Sequence, residues 1–121
     1  MTSNEFTAGT SATPEGIVIV EATDYINNEA GQRLAETARA AFGDGPPRVL
    51  LDLERTRIVN SIGVSILLEL LEEILDRGGT MAFCNVSPAI SKTFDIMGLA
   101  RYAALYPDRT SALAAMTGDG R

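Results

Sequence analysis

The chain has 121 residues, 45% of them apolar and 21% charged, with a formal net charge of −6, as expected of one domain that buries its own core without disulfides. It contains no histidine, which removes Ser-His-Asp and Cys-His catalysis and His-containing metal sites. The acidic balance, with basic residues scattered singly, argues against a nucleic-acid partner, and the absence of tryptophan argues against a large stacking site.

Residues 1–16 are rich in Ser, Thr and Gly, and the weak alternation from Glu5 to Thr10 predicts an edge strand. Pro14-Glu15-Gly16 supplies turn chemistry into a β-branched second strand, Ile17-Val18-Ile19-Val20. Asn27-Asn28 is N-cap material for a helix carrying Ala30, Leu34, Ala35, Ala38, Ala41 and Phe42 at helical spacing. Gly43 is predicted to stop it, and Gly45-Pro46-Pro47 to form a loop. Val49-Leu50-Leu51-Asp52-Leu53 reads as a buried strand, followed by a polar loop, Glu54 to Arg57, and then Ile58-Val59-Asn60-Ser61.

The clearest helix comes next. Ile62, Ile66, Leu67, Leu70, Leu71, Ile74 and Leu75 form one apolar stripe, with Glu69, Glu72, Glu73 and Asp76 off it, and Gly78-Gly79 ends it. Thr80 to Asn85 predicts a strand, and Ser87 with Pro88 opens a helix lined by Ile90, Phe94 and Met97 that Gly98 stops. Tyr102 to Tyr106 predicts a last strand and Arg109 to Met116 a last helix. Two strands followed by alternating helices and strands imply βαβ crossovers: an α/β fold with a mostly parallel sheet and an antiparallel edge from the first hairpin.

No apolar run is long enough to span a bilayer and the first residues lack the pattern of a secretory leader, so a cytoplasmic protein is expected, with no membrane partner. The single Cys84 fits a reducing compartment and reads as a small core residue. No glycine-rich nucleotide loop occurs, and neither a cofactor nor a metal is expected.

Asn60-Ser61-Ile62-Gly63 carries the most information. A serine at the turn from a loop into a helix lies where unpaired N–H groups and the helix dipole converge. A phosphate there gains stabilisation and leaves the helix intact. Gly63 inside a helix implies a close approach to the backbone, consistent with a docking surface. The plainer alternative is that Asn60 or Ser61 caps the helix and does nothing else.

Val49-Leu50-Leu51-Asp52-Leu53, then Ile58 to Gly63, then Gly78-Gly79, and later Met97-Gly98-Leu99 together resemble the STAS family of bacterial signalling domains. The likeness covers about residues 15–117 of a single domain, 1–121, with residues 1–14 as an N-terminal edge strand and loop. It implies a mixed, mostly parallel sheet with four helices and the role of an anti-sigma-factor antagonist. Such a protein is not an enzyme: it binds an anti-sigma factor that is also a serine kinase. Phosphorylation of the serine, here Ser61, dissolves that complex, and a serine/threonine phosphatase restores it.

Two departures stand out. Asn60 replaces the family's Asp and Ile62 its second Ser or Thr, while Asp24-Tyr25-Ile26-Asn27 aligns with Gly-x-Leu-Asp, so Asn27 also replaces an Asp. Asn caps as well as Asp but adds N–H donors where carboxylates would repel a phosphate. Asn27, Asp52, Asn60, Ser61, Ile62, Gly63 and Ser65 are therefore the candidate switch residues. Ser65 and the loop residue Thr56 are further hydroxyls, for which solvation or backbone bonding is the plainer reading. Asp52, at a strand end, could serve as a carboxylate ligand near the switch loop, with hydrogen bonding to that loop the plainer expectation. Met97 and Leu99 are expected to pack on the sheet, with any exposed part joining the interface, and the α-helical carboxylates Glu69, Glu72, Glu73 and Asp76 to form a solvated face or meet a basic partner. A STAS scaffold subunit that is never phosphorylated, a small-nucleotide-binding domain and a homodimer remain alternatives.

Overall fold

Runs of β-branched and aliphatic residues separated by Gly, Pro and Asn produce the alternation expected of them. In the computed structural model, residues 8–118 are described. They form β1 (Ala8–Ala12), β2 (Val18–Ile26), α1 (Asn28–Ala40), β3 (Arg48–Val59), α2 (Ser61–Asp76), β4 (Thr80–Cys84), α3 (Pro88–Ile96), a 3-10 turn (Leu99–Arg101), β5 (Ala104–Tyr106) and α4 (Arg109–Gly118). The sheet order is β1-β2-β3-β4-β5. β1 runs antiparallel to β2, and the remaining neighbours are parallel, each joined through a helical crossover. The four helices and five-stranded mixed sheet are the architecture that the order of elements implied.

Period-2 side-chain alternation divides the core into two layers. Val18, Val20, Ala22, Val49, Leu51, Leu53, Met81 and Phe83 face α1, α2 and α3, and Phe83 packs on Phe94 of α3 at 5.0 Å between ring centroids. Ile17, Ile19, Leu50, Ala82 and Cys84 face the other way, covered by Ala112 and Met116 of α4. The turn from α2 into β4 lies so close to Pro47 that a Cβ on Gly79 would sit 1.9 Å from the Pro47 carbonyl oxygen, and Thr80 N–H donates to that same oxygen at 2.9 Å.

Several boundaries differ from the sequence reading. β1 spans Ala8–Ala12, and the Glu5–Thr7 part of its expected range lies outside the described residues. α1 closes at Ala40, three residues before Gly43, because the Ala41 and Phe42 N–H groups turn back to Ala38 and Arg39 carbonyls. The last strand begins at Ala104, since Gly98 in the left-handed region (φ 84°) leads into the 3-10 turn before it. The largest difference is in β3. The segment Glu54 to Arg57 is no loop but the continuation of a 12-residue strand, and β2 runs beside it as far as Ile26.

Candidate functional site at the start of helix α2

β4 pairs with β3 only from Arg48 to Asp52. Beyond that point β2 and β3 continue alone as a two-stranded ribbon, with register shifts between Glu21 and Thr23 and between Asp24 and Tyr25. Asp24 sits in the left-handed region (φ 64°) at the second shift. Such bulges add twist and re-aim side chains. Here they bring Tyr25 opposite Ile58 and Ile26 opposite Val59 at the ribbon's tip.

Both helices that leave this tip are capped by asparagine. Asn27 Oδ1 accepts from Ala30 N–H at 2.9 Å, and Asn60 Oδ1 accepts from Gly63 N–H at 2.8 Å. The Asn60 N–H donates to the Ile26 carbonyl at 3.1 Å, tying the cap to the end of β2. Its Nδ2 donates to the Tyr25 hydroxyl at 3.3 Å. Gly63 approaches the same strand end: a Cβ there would lie 2.5 Å from Ile26 O. The close approach inferred from Gly63 is thus to the chain itself, and Gly63 is buried, so it offers no docking surface.

Ser61 is the first helical residue and is exposed. No carboxylate lies in the first turn of α2. Tyr25 and Ile58, paired at the end of the ribbon, and Ile62, next to the serine in sequence, are exposed, and the chain order and the two caps place Asn27, Asn60, Ser61 and Ile62 at this tip. Ser65, one turn on, is exposed and donates its hydroxyl to Ser61 O at 3.1 Å, the backbone-bonded role.

Asp52 does not join them. It ends the β4-paired half of β3, seven residues before Val59 and roughly 20 Å from the tip at the rise of an extended strand. Only 4% exposed, it accepts from Glu54 N–H (3.1 Å), Asn85 Nδ2 (3.0 Å) and Arg109 Nε (3.0 Å). Burial alone would raise its pKa, but the bonds from Asn85, Glu54 and Arg109 outweigh it and hold the carboxyl below its ordinary value. Arg109 also pairs with Glu21, so one guanidinium fastens α4 to β2 and β3. Nothing local in the sequence marks Arg109, which lies 57 positions from Asp52.

Thr56 is likewise not a loop hydroxyl. It is buried in β3 and donates to the Ala22 carbonyl at 2.9 Å. Cys84 is fully buried, and burial first, then the Asp52 charge, push its thiol pKa up to about 12. Leu99 is buried and Met97 half-buried against the main core. Of the α2 carboxylates, Glu73 pairs with Arg39 at 2.7 Å, while Glu69, Glu72 and Asp76 are exposed. Tyr25 is the site residue that sequence reasoning passed over. Its only signal was its place in the segment aligned with the family's Gly-x-Leu-Asp.

The sequence profile of the STAS domain matches residues 10–112. The chain belongs to the STAS domain family. This STAS domain is 25% identical over 101 residues to BtrV of Bordetella bronchiseptica, a candidate anti-sigma factor antagonist, covering 84% of this chain and 87% of BtrV. Its fold superposes on the crystal structure of an anti-sigma factor antagonist from Mycobacterium paratuberculosis with a TM-score of 0.79 at 24% identity, over 94% and 96% of the two chains. Unphosphorylated SpoIIAA, also an anti-sigma factor antagonist, superposes with a TM-score of 0.77 at 18% identity over 93% and 97% of the chains. The phosphorylated form of SpoIIAA, a Bacillus cell fate determinant, gives 0.70 at 18% identity over 91% and 99%. No helix among the described residues is long and apolar enough to cross a membrane.

Proposed function

We propose that this STAS domain is an anti-sigma-factor antagonist that works by partner switching. Through the tip of the β2–β3 ribbon it binds an anti-sigma factor that is also a serine kinase, and phosphorylation of Ser61 releases that partner. The carrying observation is an exposed serine at the first position of a capped helix, at a tip that also exposes Tyr25, Ile58 and Ile62. The antagonist relatives, among them SpoIIAA in unphosphorylated and phosphorylated forms, support the same reading. Phosphate on Ser61 would place about 1.5 to 2 negative charges within an apolar contact surface, where desolvation penalises them. The fold would remain, because helix N-termini accommodate anions.

A serine/threonine phosphatase resets the switch in this reading, and no step makes or breaks a bond on any other substrate. Asn60 gives the site its own character. With Oδ1 engaged by Gly63 and Nδ2 turned toward Tyr25, the phosphate meets amide N–H groups where the family pattern has a carboxylate.

Incubation with a cognate anti-sigma kinase and labelled ATP tests the assignment. Label is expected on the wild type and lost in Ser61→Ala; label that persists in Ser61→Ala refutes the site. Ser61→Glu is expected to weaken anti-sigma binding at least tenfold, and equal affinity refutes release by charge.

A further inference from the structure

The polarity of one hydrogen bond at the tip is fixed by the cap beside it. Asn60 Oδ1 accepts from Gly63 N–H at 2.8 Å, so the other end of that amide, Nδ2, is the end that faces Tyr25. An amide nitrogen donates and has no lone pair to offer. At 3.3 Å from Nδ2 the Tyr25 hydroxyl is therefore the acceptor, and its own proton is left over. Asp24 and Glu29 lie near it in the chain, yet among the described residues neither carboxylate, nor any other group, takes that proton.

In the free domain the leftover donor is harmless, because Tyr25 is 45% exposed and water supplies an acceptor. Tyr25 is paired in the ribbon with Ile58, itself 56% exposed. A partner seated on this pair removes the water, and a phenol proton buried without an acceptor is penalised as an unmade hydrogen bond. Such a surface admits a partner that brings an oxygen to the Tyr25 hydroxyl and rejects one that brings carbon there.

Building on the reading that an anti-sigma factor binds this tip, we propose that Tyr25 is a specificity-determining residue: its O–H donates to an acceptor oxygen, carbonyl or carboxylate, on that partner. Asn60 is its positioning residue, since an amide leaves the phenol proton free. A carboxylate at position 60 does the opposite. It still caps α2, but its second oxygen takes the Tyr25 proton and leaves the partner's oxygen facing no donor. Nitrogen or oxygen at one atom of residue 60 thus selects between partners that carry the acceptor and partners that lack it.

The test is the affinity for the anti-sigma kinase that labels Ser61, measured by calorimetry without ATP. It is compared for wild type, Tyr25→Phe, Asn60→Asp, the two combined, and Ile58→Glu, with urea denaturation verifying that each variant is folded. Tyr25→Phe deletes only the hydroxyl and is expected to weaken binding about tenfold. Asn60→Asp is expected to weaken it at least as much. In the Asn60→Asp background, Tyr25→Phe is then expected to change affinity by less than about twofold. Wild-type affinity in Tyr25→Phe overturns the proposal, and so does a Tyr25→Phe loss of equal size in both backgrounds. Ile58→Glu separates the two levels. Full affinity in Ile58→Glu shows that the kinase does not sit on the tip, and overturns that reading together with this proposal. Affinity lost in Ile58→Glu but kept in Tyr25→Phe overturns this proposal alone.

Discussion

At the residue scale the site depends on two close approaches to Ile26. Asn60 N–H bonds to its carbonyl, and Gly63 lets the first turn of α2 lie against it. Exchanging a helical Gly for Ala ordinarily gains up to about 1 kcal/mol. Here the added methyl would meet backbone at 2.5 Å, so Gly63→Ala is expected to lose about 2–3 kcal/mol, the usual cost of overpacking. Urea denaturation measures this, and a variant as stable as wild type contradicts it. The sequence showed that something must approach Gly63 but not what, because the neighbour is a carbonyl 37 positions away. Tyr25 was hidden for a similar reason: only strand register places its hydroxyl beside Asn60.

At the element scale, α4 is fastened by one guanidinium. Arg109 reaches both Asp52 and Glu21, while Asn85, itself in the left-handed region (φ 58°), completes the bonds to Asp52. The Asp52 carboxyl titrates below its ordinary value of 3.8 in the fold. Its stabilising contribution is therefore complete above that unfolded value and disappears as pH falls through the lower folded one. Asp52→Asn is expected to lose about 1–3 kcal/mol at pH 7, as for a buried hydrogen-bonded charge whose partner stays partly solvated. Stability measured against pH should then fall less steeply below about pH 4 in the variant than in wild type; parallel curves contradict the assignment. The elements themselves were largely legible. Glu54 to Arg57 was not, because bulges place exposed residues consecutively at Glu54-Arg55 and again at Arg57-Ile58, which erases the period-2 signal.

At the scale of the whole molecule, the two core layers are unequal. The layer under α1, α2 and α3 holds most of the buried side chains, whereas α4 covers its strip chiefly with Ala112 and Met116. Local opening is favoured where few apolar contacts hold an element, so α4 is expected to detach before the domain unfolds. Cys84 reports on that event, since its thiol lies beneath α4 with a pKa near 12. Arg109→Gln is expected to speed thiol labelling of Cys84 by about tenfold, with a smaller relative change in the rate of global unfolding. Labelling that follows global unfolding alone in both proteins contradicts this. Family membership and strand order were legible because they rest on patterns distributed along the chain. The α4 fastening was not, because it joins residues from three distant segments through side-chain bonds.

The ribbon formed by β2 and β3 beyond Asp52 also shapes how the domain tolerates change. Its tip is joined to the sheet body through two strands, and its outward side chains touch little of the main core. Substitutions on that outward side can alter recognition while foldability stays with the five-stranded base. Asn27, Asn60 and Ile62, standing where the family pattern has Asp, Asp and Ser or Thr, lie just past the two strand ends, where the asparagines keep the helix caps and Ile62 is exposed. The ribbon is where this domain diverges at least cost to its own stability.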